Sequence, residues 1–142
     1  MLKIMVIIGF MIFGSILNDV EVLSLNDFRW ENRIIIVNSD LAQTKKSKQL
    51  ELLMQDTIGL KDRNLLVFSV ENEMAHELVN EKLYKIGKQQ LTKLNFTKGS
   101  FEIILIGKDG GIKLRNTSIV QNSEIYGLID HMPMRQAEMR RQ

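Results

Sequence analysis

Residues 101–115, FEIILIGKDGGIKLR, decide how the rest of the chain can fold. Phe101 to Ile106 is a nearly unbroken apolar run carrying β-branched Ile103, Ile104 and Ile106. That is the composition of a strand covered on both faces and placed centrally in a sheet. Lys108-Asp109-Gly110-Gly111 follows, and an Asp-Gly pair tolerates the positive φ of a type I′ turn, whose twist matches that of the strands it joins. Ile112 and Leu114 then alternate with Lys113 and Arg115, the period of a half-buried return strand. The stretch therefore predicts a β-hairpin with its first strand buried.

Upstream, Arg33 to Val37 contains three consecutive isoleucines, and Asn38-Ser39-Asp40 behind it supplies helix-capping side chains. Leu50, Leu53, Met54, Thr57 and Ile58 form one helical stripe, with Gly59 standing where a left-handed C′ residue belongs. Leu60 then packs back on Met54. After Asp62-Arg63-Asn64, the run Leu65 to Val70 reads as a second strand. These pieces make a β-α-β unit, whose crossover should be right-handed and whose strands parallel. Between Glu71 and Ser100 the chain reads as polar and helical, with Tyr84, Gly87, Leu91 and Leu94 sharing a face. Val20 to Trp30 reads as a loop or short edge strand in which Leu23, Leu25, Phe28 and Trp30 cover one edge. Downstream, Ile125, Leu128, Ile129 and Met132 repeat the helical stripe, with Asn122 or Ser123 as cap. Pro133 ends or kinks that helix and suits the first turn of a new one. The predicted order, β-α-β, helix, β-β-α, is that of an α/β thioredoxin-like fold: a four-stranded mixed sheet with helices on both faces.

The chain has 142 residues, 44% of them hydrophobic and 25% charged, which fits one globular domain. Its net charge is only +2. Lys45, Lys46 and Lys48 form one short cluster and Arg135, Arg140 and Arg141 another. Both read as solvated helix faces, so no nucleic-acid partner is expected. Residues 1–17 open with Met1-Leu2-Lys3 and continue with fourteen uncharged residues, short for a spanning helix of about 20 residues. They read as a secretory signal peptide, with an uncleaved N-terminal membrane anchor as the alternative. The expected location is therefore exported, periplasmic or secreted, with residues 25–140 as the folded domain. Contact with a membrane is expected only through an uncleaved leader.

The order of elements is joined by words that resemble a known family. Leu105 to Arg115, LIGKDGGIKLR, and Ile129 to Met139, IDHMPMRQAEM, are similar to the domain of unknown function 4174. Asp62-Arg63 before an apolar strand, and Trp30 with Arg33 ahead of the first strand, are shorter matches. The resemblance covers roughly Leu25 to Arg140. It implies a thioredoxin-like domain of the kind found in bacterial exported proteins and in animal extracellular-matrix and sushi-repeat proteins. It implies no activity.

In a thioredoxin-like fold the redox motif sits where the first strand meets the first helix, here Asn38-Ser39-Asp40-Leu41-Ala42. The chain has no cysteine, so disulfide exchange and thiol-based peroxide reduction are excluded. His76 and His131, the two histidines, lack a ligand spacing, so no metal is expected. His131 is a sequence neighbour of Asp130, but adjacent helical residues point about 100° apart. Gly107 to Gly111 joins two strands and does not lead into a helix, which makes it a turn and not a phosphate loop. Met132, Met134 and Met139 read as core methionines. No catalytic residue and no cofactor is expected.

Arg63, Arg115 and Arg135 each belong to a family word. Beside Asp130 or Glu138 an arginine can form a bidentate pair fastening the C-terminal segment to the sheet, or these residues can form a surface for a ligand or partner. The reading that results is a non-catalytic, exported thioredoxin-like module binding an unknown protein or envelope partner. The alternative is a cysteine-independent enzyme acting on an anionic small molecule. The leader reading has a direct check: mass spectrometry of exported protein should find a new N-terminus between about Ser15 and Leu25, whereas an intact Met1 in the cytosolic fraction would overturn it.

Overall fold

The computed structural model describes residues 20–39, 41–97 and 99–142. The leader expected over Met1 to Leu17 lies outside them. Twelve elements follow in order, beginning with a 3-10 turn, Leu25–Phe28. After it come β1 (Arg33–Asn38), α1 (Gln43–Met54), α2 (Thr57–Asp62), β2 (Leu65–Glu71), β3 (Met74–Glu77) and β4 (Lys82–Lys85). The rest are α3 (Lys88–Leu94), β5 (Glu102–Ile106), β6 (Ile112–Asn116), α4 (Asn122–Asp130) and α5 (Pro133–Arg140). The strands form one mixed sheet in the order β4-β3-β2-β1-β5-β6.

The axis of this sheet is β1, whose six residues are all buried. It runs parallel to β2 and antiparallel to β5, pairing Ile34 with Ile106 and Ile36 with Ile104. Alternation divides the core. Ile34 and Ile36 join Phe68, Tyr84, Leu94 and Ile104 on one face, closed by Leu25, Phe28 and α3. Ile35 and Val37 join Leu53, Leu60, Ile125 and Ile129 on the other, closed by α1, α2 and α4. A fully buried isoleucine of this kind contributes about 1.5–3 kcal/mol. The β-α-β unit is thus present with parallel strands, and helices cover both faces.

The sheet has six strands where four were expected, because residues 71–85 form a hairpin and not a helix. Asn72 and Glu73 both take positive φ, +49° and +62°, so a two-residue turn of the type I′ kind reverses the chain between β2 and β3. Buried Glu77 then accepts hydrogen bonds from the Val79 and Asn80 amides at 2.7 and 2.8 Å, fixing the approach to β4. Tyr84 lies in β4, so the helical face that would join it to Leu91 and Leu94 does not form; helix α3 begins only after Gly87. The outer edge of β4 is covered in part by the N-terminal segment, where Leu23 donates to the Lys85 carbonyl at 2.7 Å.

The helical stripe from Leu50 to Ile58 also breaks. Helix α1 ends at Met54, and Asp56 caps a separate α2 through a 2.9 Å bond from the Gly59 amide. Ile58 is therefore exposed, and Gly59 is a helical residue, not a C′ residue. A Cβ there would stand 2.1 Å from an Asp56 carboxylate oxygen and 2.9 Å from the Tyr126 hydroxyl. Lys46 is buried against the sheet with its ammonium on the Val70 carbonyl at 2.8 Å, so it is not part of a solvated face. No side chain caps α1 directly; the Ser39 hydroxyl instead accepts from the Ala42 amide. Neither does a side chain cap α4, whose N-cap position is Gln121.

In the β5–β6 hairpin the turn differs in type. Lys108 and Asp109 keep negative φ and only Gly110 is left-handed, at +82°. The register shifts by a bulge beside Ile106, and the Gly110 amide donates to the Gly107 carbonyl at 3.0 Å. A bulged turn of this kind suits strands that need extra local twist. Strand β5 is interior and fully buried, one place from the edge, and β6 is the edge strand with Ile112 and Lys113 exposed.

Candidate functional site

Pro133 occupies the first turn of α5, and Met132 before it is extended, as the ring requires. The chain reverses there and carries α5 back over the start of β1. Arg135 and Glu138, three residues apart, share the inward face, with Arg135 only 2% exposed.

Two ion-pair centres result. In the first, the Glu138 carboxylate accepts both terminal nitrogens of Arg33, at 3.1 and 3.2 Å, and the Lys108 ammonium at 2.6 Å. Arg33 opens β1 and is 1% exposed, and one of its terminal nitrogens also donates to the Arg63 carbonyl at 2.8 Å. In the second, Asp130 accepts Arg63 at 3.1 and 2.8 Å and Arg135 Nε at 3.1 Å. Arg135 continues to the Asp62 carbonyl at 2.9 Å and the Asp62 carboxylate at 2.5 Å. Arg63 reaches the Gly59 carbonyl at 3.1 Å and lies 4.0 Å above the Tyr126 ring. The cluster therefore ties α5 to β1, to the β5–β6 turn, to the end of α4 at Asp130 and to the end of α2 at Asp62 and Arg63.

These surroundings hold the carboxylates ionised. Burial pushes Glu138 up, but hydrogen bonds from Arg33 and Lys108 and their charges outweigh it and bring it below the ordinary value of 4.5. The Arg63 hydrogen bond, aided by Arg135, lowers Asp130. Asp62 is lowered by hydrogen bonds from Gln142 and Arg135. Carboxylates in this state serve as acceptors and counter-ions, not as proton donors near neutrality.

A cavity of about 370 Å³ opens beside the first centre. Trp30, Met132, Pro133 and Met134 supply its apolar lining; Arg33, Lys108, Lys113 and Asp109 supply its polar groups. Trp30 is held at φ +69°, uncommon for so bulky a residue, and is 59% exposed. Its amide donates to the Lys108 carbonyl at 2.7 Å. Lys113 pairs with Asp109 at 2.7 Å. A second, more open groove of about 510 Å³ lies at the C-terminal ends of β1 and β2, lined by Asn38, Asn72, Asn95, Phe96 and neighbours.

Of the five residues singled out by sequence, Arg63, Asp130, Arg135 and Glu138 meet in the cluster. Arg115 does not join it. Its guanidinium binds buried Glu102 and the Leu94 and Asn95 carbonyls, fastening the end of α3. Arg33, Lys108 and Asp62 were not recognised as members. A charged residue opening an otherwise apolar buried strand was the available signal for Arg33. Both histidines are exposed, and His131 Nδ1 lies 2.6 Å from the Gly127 carbonyl. Met132 and Met139 are partly buried, whereas Met134 is 39% exposed at the cavity.

Comparison with known proteins agrees with this architecture. The family model described as domain of unknown function (DUF4174) matches residues 24–138. No curated protein matches the sequence. The mitochondrial 2-cys peroxiredoxin from Plasmodium falciparum has a similar structure, with a TM-score of 0.52 at 14% identity, over 76% of this chain and 79% of that one. The likeness supports a thioredoxin-like fold, here in a chain without cysteine.

Two measurements check the cluster. Arg135→Ala should lower stability by about 2–4 kcal/mol in denaturant melts, since it leaves Asp62 and Asp130 short of a partner, while exposed Arg140→Ala should change it by about 0–1 kcal/mol. Equal midpoints for the two variants would show that Arg135 does not anchor α5. Because the folded carboxylates titrate below their unfolded values, their stabilisation is complete above those values and is lost as pH falls through the folded ones. Between pH 5 and pH 3 the melting midpoint should therefore drop, and the drop should be smaller in Glu138→Gln.

Proposed function

The chain belongs to the DUF4174 family, and on that premise we propose that it is an exported, non-catalytic, thioredoxin-like binding module whose contact surface is the cavity between Trp30 and the start of α5. The observation that carries this reading is that the acidic side chains beside the cavity are spent as ionised counter-ions to buried arginines and lysines. They brace a surface and leave no group poised for acid–base work. The position between β1 and α1, where thioredoxin-like enzymes hold their reactive thiol, carries Ser39 and Ala42 and has no thiolate to offer. At the cavity, by contrast, an exposed tryptophan in a strained backbone stands over apolar side chains. Such strain persists where the surrounding structure fixes it, and it collects at binding sites. Export is supported by the leader composition, and no helix of the described residues is long and apolar enough to cross a membrane.

The test places a photo-crosslinking residue at Met134, on the cavity, and separately at Leu83, on the far edge of the sheet; both are exposed. In the native envelope, Met134 should yield a discrete crosslinked partner and Leu83 none. Purified protein should also neither reduce insulin disulfides nor consume peroxide with thiol donors. Equal crosslinking at both positions, or redox turnover above a boiled control, would overturn the reading.

A further inference from the structure

The cavity beside Glu138 has an uneven charge balance that its walls make usable. The charged side chains joined in the cluster or lining the cavity are five cations, Arg33, Arg63, Lys108, Lys113 and Arg135, against four carboxylates, Asp62, Asp109, Asp130 and Glu138. One positive charge is thus left over. Independently of that balance, Arg33 Nε is buried and has no hydrogen-bond partner among the described residues, although both terminal nitrogens are engaged. A buried guanidinium N–H without an acceptor leaves the Arg33 charge incompletely answered, and an anion brought nearby lowers that cost through space. Arg33 is a lining residue of this cavity.

The remaining walls decide the shape of that anion. Trp30, Met132, Pro133 and Met134 form an apolar side broad enough for an aromatic ring or a short alkyl chain. At Gly107 a Cβ would meet the Lys113 side chain at 2.6 Å, so glycine there lets Lys113 lie close against the turn at the cavity. Lys113 keeps about a third of its side chain exposed and its partner Asp109 nearly half, so this pair can open to a ligand at little cost. A single surplus charge suits a monoanion better than a phosphate dianion, and the apolar side asks for a body that water does not favour.

We infer that the cavity takes a ligand with an aryl or alkyl body ending in a carboxylate, the carboxylate facing Lys113 and Lys108 within the field of buried Arg33 and the body against Trp30 and Met134. This rests on the binding-module reading and gives its ligand a chemistry. Two sources share that chemistry: a free small carboxylate and the C-terminal residue of a peptide chain.

Trp30 is the single tryptophan of the chain, so its fluorescence reports this cavity directly. Full-length protein titrated with 4-phenylbutyrate should show saturable change, with affinity at least tenfold above that for 4-phenylbutanamide. The affinity for the acid should fall as salt rises. Lys113→Gln should weaken the acid severalfold and leave the amide and the melting midpoint unchanged. N-acetyl-Gly-Phe, as free acid and as amide, separates the sources: tighter binding of the peptide acid than of phenylbutyrate assigns a chain end, and the reverse assigns a free carboxylate. Equal affinity for each acid and its amide overturns the carboxylate while leaving the binding cavity standing. No response to any of the four, in protein that melts cooperatively, overturns both.

Discussion

Arg33 is buried at the head of the central strand, and its charge must be answered where water cannot reach it. An unpaired buried guanidinium costs several kcal/mol, so the fold holds together only with an anion supplied from elsewhere in the chain. Glu138 supplies it, and in accepting Arg33 and Lys108 together it fixes α5 against both β1 and the β5–β6 turn. The second centre follows from the first. Once α5 lies there, Arg135 reaches Asp62 and Asp130, and Arg63 shares Asp130 with it. The apolar sheet explains why the domain collapses; this charge balance explains why the collapsed chain has one position for its last helix.

The parts of the fold that sequence made legible are those in which neighbours in the chain are also neighbours in space. The isoleucine runs of β1 and β5 announce buried strands because every second residue meets a different face of the core. The stripe of Ile125 and Ile129 announces α4 in the same way. Strands β3 and β4 were hidden because the turn that starts β3 is Asn72-Glu73, with a glutamate in a left-handed conformation, and because an inward position is filled by Glu77. Neither follows the alternation expected of a strand. The break between α1 and α2 was hidden for a related reason: Asp56 caps a new helix inside what reads as one continuous stripe.

The site was legible by half. Arg135 and Glu138 sit on one helix, and their spacing alone places them together. Arg63 and Asp130 are 67 residues apart, and Arg33 and Glu138 are 105 apart. Periodicity carries no information over such separations. Arg115 shows the converse, since a residue of the right type in a recurring word is committed elsewhere, to Glu102 and the end of α3. The cavity itself depends on the backbone of Trp30 and on the reversal at Pro133, so it exists only after the distant elements have met.

The distance between Arg33 and Glu138 also sets the order in which the molecule can be completed. A chain delivered from its N-terminal end presents β1 first and the counter-ion of Arg33 only 105 residues later. Until then, closing the sheet would bury Arg33 and Lys108 uncompensated, so long-range pairing is penalised as well as slow. A partly delivered polypeptide is thereby kept open, and commitment to the folded state waits until α5 is available to answer Arg33.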